Sequence, residues 1–312
     1  MFATLFLTIF LFSTKAGFLT PPQAVSEAKT GPVFQEVPFK KGTVLPQVKA
    51  EAVLVEDSKT GMVLYQKNQN ARLEPASVTK LATALLVLEL ISKNKGSLNF
   101  QELVTVSTTA KPVSGDRFNF RAGEQVTLRN LLYALLVPSN NQAAYVLAEY
   151  SAGSTEAFMA EMFGWIKEKG LENTNFKNPA GLDQTGHFST AQDLVKLFRL
   201  ALENEEIAKI IGTKEYQITV LKGTAQRKVN LASTNELLGK DERVVAGKTG
   251  TTAKAGRCLI TKSKIDNHEV ITLVLNSKDR FGETQQLLNW AASNIAWKNI
   301  GEIWQAVIKP KT

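Results

Sequence analysis

A single cysteine and two histidines in 312 residues remove several chemistries before any motif is read. Cys258 alone forms no intrachain disulfide, and a chain of this length that is 44% apolar builds a core without one. It lies in Arg257-Cys258-Leu259-Ile260-Thr261, which reads as a strand, so buried packing is expected of it rather than a reactive thiol. His187 and His268 are far apart in the sequence, so no metal site is evident and no cofactor is expected. Their settings, a helix-start loop and a hairpin turn, disfavour a Ser-His-Asp hydrolase. Blocks of like charge are absent too. The 37 basic and 29 acidic residues are scattered, giving +8 with no run of five Lys or Arg, which excludes a basic arm for nucleic acid. A mild positive excess keeps a protein soluble and suits an anionic envelope surface.

No apolar stretch is long enough to span a bilayer. The run over residues 1–12 ends at Ser13-Thr14-Lys15 and has the length of a signal-peptide core, although no Lys or Arg precedes it. Residues 1–16 are therefore read as a signal peptide or short N-terminal anchor. Residues 17–48, with Pro21, Pro22, Pro32, Pro38 and Pro46 and no apolar period, read as an extended linker. A hairpin over 50–67 follows, turning at Asp57-Ser58-Lys59-Thr60-Gly61. After Pro75 the spacing predicts a helix over 76–92 that is apolar nearly all round and hence buried. Helices are expected over 128–137, 141–150, 155–169 and 191–203, within a mostly helical stretch reaching about 211. Strands return over 214–221, 227–230, 244–249, 257–264 and 270–275, and a last amphipathic helix covers 283–297. Strands at both ends with helices between imply an α+β fold: an antiparallel sheet flanked by helices, with an inserted helical lobe and a cleft between the two.

Three short strings stand out: Ser77-Val78-Thr79-Lys80, Ser139-Asn140-Asn141 and Lys248-Thr249-Gly250. Pro75 puts Ser77 in the first turn of the buried helix, where free N–H groups favour negative charge on its oxygen. Lys80 follows one turn along, and an ammonium held against so apolar a helix loses proton affinity, which makes it a base near neutral pH. Ser139 and Asn141 occupy a loop after Pro138, where a hydroxyl can pass protons and an amide can bond a peptide. Asn140 or Ser139 could equally be a helix cap there. Lys248, Thr249 and Gly250 end a strand that could pair with an extended peptide, with the lysine and threonine attracting a carboxylate. The N–H groups of Ser77 and Thr251 would form an oxyanion hole. Each string alone is common; the ordered set is not.

The set resembles the motifs of penicillin-recognising serine enzymes. From about residue 50 to 290 the chain resembles the D-alanyl-D-alanine carboxypeptidases among them, through Glu74-Pro75-Ala76-Ser77, Asn178-Pro179-Ala180-Gly181-Leu182, His187-Phe188-Ser189-Thr190-Ala191 and Ala255-Gly256-Arg257-Cys258-Leu259. The resemblance implies a serine D,D-carboxypeptidase that removes the terminal D-Ala of peptidoglycan stem pentapeptides and is acylated by β-lactams. It assigns Ser77 as acyl acceptor, Lys80 as base, Ser139 and Asn141 to proton transfer and positioning, and Lys248, Thr249, Gly250, Thr251 and Arg280 to substrate binding. It implies a role in peptidoglycan biosynthesis and cell shape, in the periplasm or on the outer face of the cytoplasmic membrane. Asn140 departs from the family's usual small residue. The glutamate that a class A β-lactamase needs is missing, since Glu168-Lys169-Gly170-Leu171-Glu172 fails at its last position. The peptidase domain is thus expected over 49–298. A short tail over 299–312 follows, whose Ile300, Ile303, Trp304, Val307 and Ile308 share a helical face suited to packing or to peripheral membrane contact. No oligomeric state is specified.

Overall fold

The computed structural model describes residues 36–299 and 301, apart from 43, 111, 112 and 114. The N-terminal run over 1–16 and the apolar face over 300–308 lie outside the described residues. Strands β1 (Glu36–Lys40), β2 (Ala52–Asp57) and β3 (Val63–Lys67) open the fold. A 3-10 turn, Ala76–Thr79, leads into α1 (Lys80–Lys95). Then come β4 (Leu103–Thr105), β5 (Gln125–Thr127), α2 (Leu128–Leu136), α3 (Asn141–Ala152), α4 (Thr155–Glu168), α5 (Ala191–Glu203) and α6 (Glu205–Ile211). The chain closes with β6 (Glu215–Lys222), β7 (Ala225–Ala232), β8 (Val244–Thr252), β9 (Gly256–Ile265), β10 (His268–Ser277), α7 (Arg280–Asn294) and β11 (Ile295–Asn299).

The expected α+β architecture is present. Five antiparallel strands in the order β3-β2-β10-β9-β8 bring both halves of the sequence into one sheet. β2 and the middle of β10 are buried on both faces, which is why they read as apolar runs rather than alternations. One apolar cluster joins α1 to the helical lobe and to one side of the sheet, through residues such as Leu81, Leu132, Leu147, Phe198 and Leu273. A second packs α7 against the other side through Leu287, Leu288 and Val274. α1 is buried along most of its length, with Glu89 exposed in its middle. Burial of a Leu or Ile contributes roughly 1.5–3 kcal/mol, so Leu81, Leu86, Leu88, Leu90 and Ile91 make α1 the spike that joins the lobe to the sheet.

Several expectations need correction. Residues 36–40 form β1, paired with β11, inside the segment expected to be a linker; Pro38 is tolerated because β1 has only one neighbour. The last helix ends at Asn294, and Ile295 turns extended at ψ 136°, so Ile295–Asn299 forms a strand that crosses the expected 298/299 boundary. The helical lobe carries its own four-stranded sheet, β4-β5-β6-β7, which claims two strands expected to belong with the rest. Ser77 precedes α1, in the 3-10 turn, rather than occupying its first turn.

Candidate active site

The nucleophile turn is clamped from two sides. A Cβ on Gly250 of β8 would stand 2.9 Å from the Pro75 carbonyl and 3.0 Å from the Ser77 nitrogen. A Cβ on Gly181, at φ +78°, would fall 2.0 Å from the Ala76 carbonyl. Only glycine permits either approach. The backbone that approaches Gly250 so closely is the protein's own nucleophile turn. Held this way, Ala76 takes φ +49°, a left-handed value that costs a non-glycine residue on the order of 1–3 kcal/mol. Ser139 carries the same kind of strain at φ +64°. Residues i and i+3 eclipse in a 3-10 turn, so the side chains of Ser77 and Lys80 rise over one another. Lys80 Nζ lies 2.8 Å from Ser77 Oγ.

Lys80 is fully buried and makes two more bonds, to Asn141 Oδ1 at 2.7 Å and to the Ala180 carbonyl at 2.6 Å. Burial holds its amine down at about 7 against an ordinary 10.5, with Asp116 pulling in the opposite direction. A neutral amine has two hydrogens and one lone pair. Asn141 and Ala180 accept the two hydrogens, so the lone pair is left facing the Ser77 hydroxyl.

Lys248 is buried as well. Its Nζ donates to Ser139 Oγ at 2.8 Å and to the Thr249 carbonyl at 3.0 Å. Burial lowers its proton affinity well below the usual value, and the charges of Lys80 and Arg280 lower it further. Thr249 Oγ1 bonds Thr234 Oγ1. Arg280, the first residue of α7, donates from Nη1 to the Gly250 carbonyl at 2.9 Å and to Thr251 Oγ1 at 2.7 Å. Ser77, Ser139, Asn141, Thr249, Gly250, Thr251 and Arg280 line one cleft of about 470 Å³, with Lys80 and Lys248 buried behind it. All nine predicted residues therefore meet. A larger cavity of about 610 Å³, between residues 105–109 and the α3–α4 junction, contains none of them.

Four further residues have clear roles in this geometry. Asn140, which departs from the expected motif, is the cap of α3: its side chain accepts from the Ala143 N–H at 2.7 Å and donates to the Phe118 carbonyl at 2.7 Å. Of the two residues expected as a possible cap, Asn140 takes that part, while Ser139 and Asn141 on either side of it line the cleft. His187 accepts the Lys177 N–H at Nδ1, so Nε2 carries the proton and donates to Thr79 Oγ1 at 3.0 Å. Burial holds its pKa at about 4, so it is a neutral strut behind the turn. Cys258 is buried beneath the same turn, its thiol pushed up to about 11 by burial. Asp116 bonds the start of α3, 25 residues along the chain, and belongs to no motif. Glu168 lies at the exposed end of α4 beside Lys169 and does not line the cleft.

A hydroxyl bonded to a buried, readily deprotonated lysine, in a cleft between an antiparallel sheet and a helical lobe, defines the penicillin-recognising serine peptidases. Within that class the chain belongs to the D-alanyl-D-alanine carboxypeptidase family, whose sequence model matches residues 40–279. It is 35% identical over 281 residues to the D-alanyl-D-alanine carboxypeptidase DacF of Bacillus subtilis, covering 89% of this chain and 71% of that one. With DacC of Escherichia coli it shares 34% over 255 residues, 78% of this chain and 62% of the relative. The Streptomyces K15 DD-transpeptidase superposes with a TM-score of 0.73 at 27% identity, over 80% of this chain and all of that one. The chain is thus a serine-type peptidase with the family's α+β fold.

Proposed function

We propose that this chain removes the terminal D-Ala of peptidoglycan stem pentapeptides through an acyl-enzyme on Ser77, and that β-lactams acylate the same oxygen. The 2.8 Å contact between Ser77 Oγ and a buried Lys80 poised near neutrality carries the reading. In the first step the Ser77 hydroxyl gives its proton to Lys80 Nζ while Oγ bonds the penultimate D-Ala carbonyl. The N–H groups of Ser77 and Thr251 hold the resulting oxyanion. The C–N bond then breaks. Ser139, its oxygen held by Lys248, hands the leaving amine its proton and takes in return the one that Lys80 received from Ser77, so that Lys80 is neutral again. Lys248, Thr249 and Arg280 attract the terminal carboxylate, and β8 offers its edge, Gly250 and Thr251 included, to the extended peptide. Water, with Lys80 again as base, releases the product.

The substrate is a wall polymer, so the reaction lies outside the cytoplasm. Residues 1–16 would direct export or anchor the chain, and 49–298 would be the peptidase domain with β1 clasped to it. Incubation with a penicillin followed by intact-mass measurement tests the nucleophile. A single adduct is expected on the wild type and none on Ser77→Ala; an adduct that survives Ser77→Ala refutes the assignment. A second reading is favoured by the Streptomyces neighbour, named a DD-transpeptidase. Free D-Ala release from a D-Ala-D-Ala peptide, with and without an amine acceptor, separates hydrolysis from transfer.

A further inference from the structure

The first two N–H groups of α3 do not point to solvent. Asn141 N lies 2.6 Å from Asp116 Oδ1, and Gln142 N lies 2.9 Å from Asp116 Oδ2. Ala143 N goes to Asn140. Three of the helix's four orphan donors are thus taken by side chains, two of them by one carboxylate from a distant loop. A neutral acceptor would satisfy a helix start equally well, as Ser154 and Thr190 do for α4 and α5. An anion here has a further consequence. The Asn141 backbone N–H is held by Asp116 while its Oδ1 meets Lys80 at 2.7 Å, and since a carboxylate only accepts, the side of the amide that suits Asp116 is its nitrogen. A chain of contacts results, running from Asp116 through Asn141 and Lys80 to Ser77.

We propose that Asp116 is the positioning residue of the Ser77–Lys80 pair, aiming the lysine's lone pair through Asn141 and setting, by its charge, the pH range in which that pair acylates. The proposal rests on Ser77 and Lys80 being nucleophile and base. The groups facing Lys80 from the elements around it are Asp116 from the loop before β5, Lys248 from β8 and His187 from the loop before α5. His187 is neutral above pH 4, so it adds no charge in the working range. Among the described residues Asp116 is the only carboxylate acting on Lys80, and it opposes the lowering by burial. Removing its charge leaves that lowering unopposed, so the neutral amine persists to lower pH.

The test is the pH profile of penicillin acylation, followed by intact mass, for wild type, Asp116→Asn, Asp116→Ser and Asn140→Ala. Both Asp116 variants keep an acceptor for α3 and lose the charge. Their acid limb should move to lower pH by on the order of one unit, with a reduced plateau because the Asn141 amide is free to turn. Asn140→Ala weakens the same helix end without touching the charge, so its limb should stay at the wild-type position. If either folded Asp116 variant keeps the wild-type limb, or Asn140→Ala shifts as they do, Asp116 is only a helix cap and the proposal fails. Absence of any adduct on wild type would overturn the nucleophile reading first, and this one with it.

Discussion

Gly250→Ala tests whether the clamp on the nucleophile turn also builds the oxyanion pocket. The added methyl would stand 2.9 Å from the Pro75 carbonyl, 2.9 Å from the Ala76 methyl and 3.0 Å from the Ser77 nitrogen. Carbon pairs rest near 3.5–4.0 Å, so β8 and the turn must separate by about half an ångström. The turn cannot retreat, because Gly181 already seats its backbone against the Ala76 carbonyl from the other side. The strand must move, and Thr251 moves with it. Ser77 N–H and Thr251 N–H are the proposed donors, and each works only within about 2.7–3.1 Å of the developing oxyanion. Loss of one such donor costs on the order of a hundredfold to a thousandfold, so acylation should slow about a hundredfold. Overpacking should cost only ~1–3 kcal/mol of stability, leaving a folded protein. Time courses of adduct formation by intact mass give the rate, and a urea midpoint gives the stability. Acylation within about threefold of wild type would refute the shared clamp and pocket.

Two more outcomes follow from the geometry. With the Lys80 amine held at about 7, the wild-type acylation rate should be half-maximal near pH 7 and fall about a hundredfold by pH 5, since the base form is lost as pH drops; a rate flat from pH 8 to pH 5 would exclude Lys80 as the base. Asn140→Ala should lower unfolding stability by ~1–2 kcal/mol, because it orphans the Ala143 N–H and the Phe118 carbonyl, and an unchanged urea midpoint would contradict the cap assignment.

Much of the fold was legible because its large elements follow simple periods. α1 is apolar nearly all round, and β2 and β10 carry apolar runs bounded by turns. What escaped was short or decided by distant partners. β4 and β5 have three residues each, too few to display any period. β1 contains Pro38 and becomes a strand only because β11 lies beside it. Trp297 fits a helical face in sequence, yet the chain turns extended at Ile295 and stacks the Trp297 ring on His268 at 4.3 Å. At the site, the three ordered strings marked residues that touch in space. The 3-10 character of the turn was hidden, because Pro75 announces a helix start without saying which helix. Asp116 was hidden for a different reason: it acts from a loop, through a neighbour, and no spacing marks such a residue.

The pairing of β1 with β11 sets Glu36 opposite Asn299, so the chain enters and leaves the described domain at one rung of a two-stranded ladder. Tension applied at those two residues pulls straight across that rung. Such a ladder parts like a zipper, one pair at a time, instead of shearing all its bonds together. The strain is spent there first, on strands that belong to no ladder of the five-stranded sheet and meet it through side chains, such as the Trp297 indole that donates to Asp57. A load entering at those two ends would thus open the clasp before β8 and the nucleophile turn felt it.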